Sequence, residues 1–302
     1  MSGPTDRSVI WTLIAVQVFF GGLAVAGKEV LPFVPPLALA FCRVLAAAIV
    51  LMTLERILVR SKLPPIRDLG LFAFFALIGV ALNQSLYLTG LRLTTATDAI
   101  LLIATIPAFT LLIAVLTKHE RLQGMKVAGL AVSFAGVAVL VIGSGGGHGA
   151  IIGDVLVLVN SVSYSTYLVL SRPTLQRYDA LTLIAWVFVF GTIEMALVAL
   201  PQLASTQWNA LPAAAWLGFA YALVFGTVLT YGLNAWALRH ATASRVASFV
   251  YLQPLVGVLG AAWLLGERLS WRVALAGVLI LAGVAVANST TVRGRRAMNP
   301  EE

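Results

Sequence analysis

Charge is what this chain has least of. Of its 302 residues only 11% are charged, against about 25% in soluble globular domains, and 60% are hydrophobic, with a mean hydropathy of +0.96. A water-soluble fold of this size cannot bury that much apolar surface, so the composition excludes one. Cysteine is nearly absent. The single Cys42 lies inside an apolar run, which excludes a disulfide within the chain and a thiolate metal site. The three histidines, His119, His148 and His240, are scattered, so no metal centre is nominated, and no motif calls for a cofactor. Carboxylates and nucleophiles form no cluster near one interface, so no catalytic residue is nominated either. Net charge is +8, but the basic residues sit in short connectors between apolar runs. That is the pattern of membrane orientation and not of nucleic-acid binding.

What the chain does have is apolar runs, and it has them in duplicate. A membrane helix needs about 20 apolar residues. Ten runs qualify: 9–27, 36–57, 68–89, 94–117, 122–143, 151–171, 180–200, 213–238, 243–265 and 271–289. Ala24-Val25-Ala26 resembles a signal-cleavage site. The first run is nevertheless read as a retained helix, because little positive charge precedes it and the second half holds a matching helix. Sliding the sequence back by 147 positions puts Pro254 on Pro107, Glu267-Arg268-Leu269 on Glu120-Arg121-Leu122, and Gly283-Val284-Ala285 on Gly136-Val137-Ala138. Such self-similarity decides architecture. The predicted fold is an all-α polytopic membrane protein of ten transmembrane helices, arranged as two five-helix repeats. Residues 1–143 form the first repeat, 144–150 a Gly-rich linker, 151–289 the second repeat and 290–302 a basic tail expected to be disordered.

Lys and Arg fix the expected orientation. With the N-terminus inside, the inner segments carry 15 of them and the outer segments 4, namely Lys28, Arg92, Arg268 and Arg272. Both termini are therefore expected in the cytoplasm, in a cytoplasmic (inner) membrane. Equivalent points are separated by five helices, an odd number, so the two repeats run in opposite directions. Inverted repeats of this kind hold a substrate near the midplane between the halves.

Polar residues in the apolar helices mark the expected substrate cavity. One stripe is Thr227, Thr230, Tyr231 and Asn234; a second is Asn160, Ser163, Tyr164 and Tyr167, both at i, i+3, i+4, i+7. Asn83, Gln84 and Tyr87 stand 147 positions before Thr230, Tyr231 and Asn234. Gln17, with Gly21 and Ala24, gives the first helix a mostly small face. Tyr251 and Gln253 lie beside Pro254. The competing reading of all these residues is hydrogen bonding between helices, about 0.6 kcal/mol each. Pro107 and Pro254 are read as hinges or as fixed packing kinks. Arg43 and Glu194 are intramembrane charges. Glu194 has three readings: a partner for Arg43, a proton site driving transport, or a packed, protonated acid. Glu120-Arg121 and Glu267-Arg268 are expected to cap the helix that follows each of them. Gly129 with Gly136, and Gly277 with Gly283, give flat scaffold faces.

Together, Thr95-Ala96-Thr97 through Pro107 to Glu120-Arg121-Leu122 and Gly136-Val137, recurring as Thr242-Ala243-Ser244 through Pro254 to Gly266-Glu267-Arg268-Leu269 and Gly283-Val284, resemble the EamA family of the drug/metabolite transporter superfamily. Arg43 and Lys28 also match family positions. Two departures stand out: His119 where a glycine is usual, and Phe20-Gly21 where Trp-Gly is usual. The resemblance covers nearly the whole chain. It implies a transporter that exports small metabolites such as amino acids, with a small-molecule substrate and the lipid bilayer as partners, and with protons as a candidate driving ion. A membrane enzyme acting on a lipid, and a non-transporting scaffold or sensor, are the alternatives.

Overall fold

A backbone surrounded by lipid has no water to satisfy its N–H and C=O groups, so each crossing segment must satisfy its own. The computed structural model describes residues 6–118, 124–143, 147–240, 249 and 252–298, and among these it is helical with no strand. We number the helices in chain order. α1 is Asp6–Val30, α2 Pro36–Leu58, α3 Ile66–Leu93, α4 Ala96–Leu116 and α5 Gly124–Gly143; α6 is Gly147–Ser171, α7 Ala180–Ser205, α8 residues 213–240, α9 Leu252–Leu264 and α10 Trp271–Met298. Among the described residues, α1 to α8 are long and apolar enough to cross a membrane, while α9 and the apolar part of α10 are shorter. Many large apolar side chains point outward, including Leu197, Trp263 and Ile142, each more than 80% exposed. A surface this apolar fits lipid and not water.

The helix starts are local chemistry. Pro36 opens α2, where its missing N–H costs nothing. The Thr95 side chain accepts the Asp98 N–H at 2.9 Å to cap α4, and Asp179 caps α7 by accepting the Leu181 N–H at 2.8 Å.

Three expectations about the helices change, and one lies partly outside the described residues. α3 and α8 each carry a π-helical stretch, Leu77–Ala81 and Val224–Leu229, a feature that apolar periodicity does not reveal. α4 is broken at Ala104 and Thr105, and Pro107 sits in the first turn of its second half. The tail is helical as far as Met298, since its arginines are good helix formers that suit a helix C-terminus and no proline intervenes before Pro300. α9 begins at Leu252; the earlier part of the expected run, with Tyr251, lies outside the described residues, as do Glu120 and Arg121.

The packing repeats as the sequence does. α1 packs on α8 and α9, and α6 packs on α3 and α4; α2 lies against α7, and α5 against α10. Moving α1 forward by 147, and α8 and α9 back by 147, turns the first set of partners into the second. The α5–α10 seam is closest. A Cβ on Gly136 would come within 2.9 Å of the Ala276 carbonyl, and one on Gly283 within 2.6 Å of the Gly129 carbonyl. Gly277 instead faces Leu101 of α4, so it belongs to a different contact from Gly283.

Candidate functional site: a buried arginine between the halves

Arg43 is 3% exposed on α2. Its Nε donates to Thr227 Oγ1 of α8 at 3.2 Å, and its Nη1 donates to Gln84 Oε1 of α3 at 2.9 Å. Tyr87 and Tyr231 lie within electrostatic reach of the guanidinium. Five polar residues, drawn from both halves, therefore meet at one point. The π stretch of α8 positions one of them, Thr227. Such a stretch leaves a carbonyl without its usual partner, and the Thr227 and Thr230 hydroxyls donate to Ala222 and Phe225, five residues back, at 2.8 and 2.6 Å. Thr227 can thus donate to backbone and still accept from Arg43. In α3, Ser163 of α6 donates to the Ile78 carbonyl at 2.6 Å.

An aromatic wall surrounds this point. The Tyr231 ring packs edge-on against Phe188 at 5.1 Å and Phe20 at 6.0 Å. Tyr164 lies 5.8 Å from Tyr167, and Tyr167 packs against Phe75. A side chain on Gly79 would collide with the Tyr167 ring, so the ring lies flat on the α3 backbone.

Other expected cavity residues behave differently. Asn83 donates to Asn160, a bond between helices α3 and α6. Thr230 is fully buried and its hydroxyl goes to backbone. Gln17 is buried, and its Oε1 has no hydrogen-bond partner among the described residues. A Cβ on Gly21 would touch Gln253 O, Val256 and Gly257, so that face of α1 is close helix packing against α9. Gln253 and Asn234 are partly buried on α9 and α8. Pro254 is buried in the first turn of α9.

Arg43 and Glu194 form no ion pair among the described residues. Arg43 is held by neutral groups, and Glu194 Oε2 is buried without a hydrogen-bond partner there. Equal depth in two helices does not make them face each other.

Sequence reading missed the serines. Ser165 of α6 donates to the Ile106 carbonyl at the α4 break at 3.0 Å, and the Ser161 hydroxyl is shared between Val157 of its own helix at 3.1 Å and the Leu102 carbonyl at 3.4 Å. Their i, i+4 spacing was the available signal. It also missed where Glu267 points. That carboxylate does not cap the helix after it; it accepts the N–H groups of Ala96 and Thr97 in the other half, at 2.8 and 2.9 Å. Its negative charge sits at the positive end of α4. Thr94 donates to Asp154 at the same end of the bundle. At the opposite end, Asp68 takes hydrogen bonds from Arg177 Nη2 at 2.6 Å and from the Tyr178 hydroxyl, which that bond pushes up in pKa from its ordinary value. Glu55 there accepts from Thr182 at 3.2 Å. Each of these bonds joins the two halves.

Fold and site together define a multi-pass membrane protein whose two related halves meet at a buried polar centre. Residues 7–142 and 151–289 each match the EamA-like transporter family, and the chain belongs to that family. It is similar to an uncharacterized transporter of Archaeoglobus fulgidus, 35% identical over 69% of this chain and 72% of that one. It is also similar to the uncharacterized inner membrane transporter YedA of Escherichia coli, 31% identical over 83% and 81%. A third relative is the WAT1-related protein At3g18200 of Arabidopsis thaliana, 27% identical over 91% and 80%. One solved crystal structure shares the fold, with a TM-score of 0.62 at 21% identity over 97% of this chain and 99% of the other.

Proposed function

We propose that the protein is a secondary transporter of a small carboxylate-bearing solute, amino acids among them, working by alternating access and running as an exporter. The observation that carries this reading is Arg43. Its guanidinium is buried, its hydrogen-bond partners are neutral, and it has no acidic partner among the described residues. A buried charge without a counter-charge is expensive, and a carboxylate ligand would supply one, bidentate and between aromatic walls. Gln84 from one half and Thr227 from the other would sense its arrival together.

The wider frame is ten crossings in two inverted repeats, with both termini in the cytoplasm. Support comes from the offset of 147, the packing that repeats with it, and the bias of basic residues. Alternating access then means breaking inter-half bonds at one end at a time: Glu267 on α4 at one end, Asp68 on Arg177 at the other. Proton coupling through Glu194 is a further element of this reading, and Glu194→Gln with unchanged flux across a pH gradient would remove it.

Flux in proteoliposomes tests the core of the reading. A panel of amino and organic acids, each paired with its methyl ester, should show transport of an acid and not of its ester. Equal flux of both, or flux of none, would end the proposal. Reporter fusions near residues 118 and 267 should report opposite compartments; the same compartment would end the inverted arrangement.

A further inference from the structure

A cavity lies away from Arg43, at the bundle end where Glu267 holds α4. Its volume is about 520 Å³, and Thr97, Asp98, Glu267, Arg268, Trp271 and Arg272 line it with a few apolar residues. Its chemistry is graded. The inner wall holds carboxylates: Asp98 is 6% exposed, and Asp154 and Glu267 lie within electrostatic reach of it. Lys28 of α1 lies within electrostatic reach of both Asp98 and Glu267. The rim is basic and exposed: Arg268, and Arg272, which lies 5.8 Å over the Trp271 ring.

One group in the wall is unaccounted for. Thr97 is 3% exposed, and its Oγ1 has no hydrogen-bond partner among the described residues. Leaving a buried hydroxyl unpaired is costly. Its neighbours in the same turn are all engaged: Thr95 caps α4, Thr94 donates to Asp154, and the Thr97 N–H itself goes to Glu267. Thr97, which carries the hydroxyl that remains, lines the cavity together with Asp98.

We propose that this cavity binds the headgroup of a primary-amine phospholipid, phosphatidylethanolamine. Its ammonium sits between Thr97 Oγ1 and the Asp98 carboxylate, and its phosphate meets Arg268 and Arg272 at the rim. An ammonium has three N–H donors, enough for a hydroxyl and a carboxylate at once. A trimethylated ammonium has none and cannot satisfy Thr97. The site lies at helix ends beside an exposed tryptophan, the level at which headgroups sit. It is independent of the transport reading, because its readout is binding and not flux.

Native mass spectrometry of the purified full-length protein tests it, with phosphatidylethanolamine and phosphatidylcholine of identical acyl chains. Retention of the ethanolamine lipid should exceed that of the choline lipid. It should fall about tenfold in Thr97→Val and in Arg272→Gln, as expected for loss of one hydrogen bond to a charged group. Thr97→Ser should keep it. Thr97→Val removes an unpaired hydroxyl at nearly constant volume, so the fold should stand, and Arg272 is exposed. Glycerophosphoethanolamine, the same headgroup without chains, separates the sources: displacement of the lipid means that the headgroup alone is recognised, whereas no displacement means that the bilayer-anchored form is required. Equal retention of the two lipids, or retention unchanged in both variants, overturns the proposal.

Discussion

Gly136 and Gly283 stand at equivalent positions in the two halves, and a Cβ on either would strike backbone of the helix across the α5–α10 seam. Arg43 and Phe190 also stand at equivalent positions, 147 apart, and share no chemistry. One is a charge hydrogen-bonded across the halves; the other is a ring beside Trp186. The same divergence recurs at Gln84 and Tyr231, and at Tyr87 and Asn234. This seam pair has stayed alike, while the positions around the polar centre have parted. Packing constrains both copies equally, because each seam contains a residue from each half. A ligand is asymmetric, so the two walls of its site have no reason to match.

The largest test of that contrast is at the centre. Arg43→Gln should lower transport efficiency about 100-fold, the scale of losing a buried charge interaction. Phe190→Leu should change it within about threefold. Equal losses in proteoliposome flux would break the comparison. At the seam the symmetry should hold instead. Gly136→Ala and Gly283→Ala should each destabilise the protein by about 1–3 kcal/mol, the usual range for overpacking, read as a lower melting temperature in detergent. Gly70 has nothing within 4 Å of an added Cβ, so Gly70→Ala should leave the melting temperature unchanged or slightly raised.

Glu267→Gln comes next. The amide can still accept with its oxygen but loses the charge that favours two N–H groups at a helix N-terminus. In a Cys42→Ala background, a cysteine placed at Ala96 should then be labelled by a water-soluble thiol reagent about tenfold faster, as expected for about 1.4 kcal/mol. Unchanged labelling would make Glu267 a static cap. Smallest is the Asn83–Asn160 bond. A double-mutant cycle with alanine at both positions should give a coupling of about 0.6 kcal/mol, the average for polar pairs between membrane helices. A coupling several times larger would move this pair from packing into the site.

The repeat was legible in the sequence because prolines, glycines and charged triplets are rare in apolar runs and register strongly when they coincide. Arg43 was legible for the same reason, as the one basic residue well inside a run. Its partners were legible only by kind. Gln84, Tyr87, Thr227 and Tyr231 do converge on it, but Thr230 turns to backbone and Asn83 to Asn160. Spacing gives the angle of a side chain around its own helix and says nothing of which neighbour stands opposite. Glu194 shows this: equal depth motivated pairing with Arg43 as one of its three readings, and no ion pair forms between them among the described residues. Glu267 was misread because capping rules look three residues along the chain, whereas the N–H groups it accepts are about 170 residues away. Ser161 and Ser165 carry no special mark as residues; only the break in α4 gives them a purpose.

The π stretches in α3 and α8 begin at Leu77 and Val224, again 147 apart. Each amounts to one extra residue accommodated in a turn. The same irregularity therefore recurs at the same register in both copies, so whatever carbonyl it frees in one half has a counterpart at the matching place in the other.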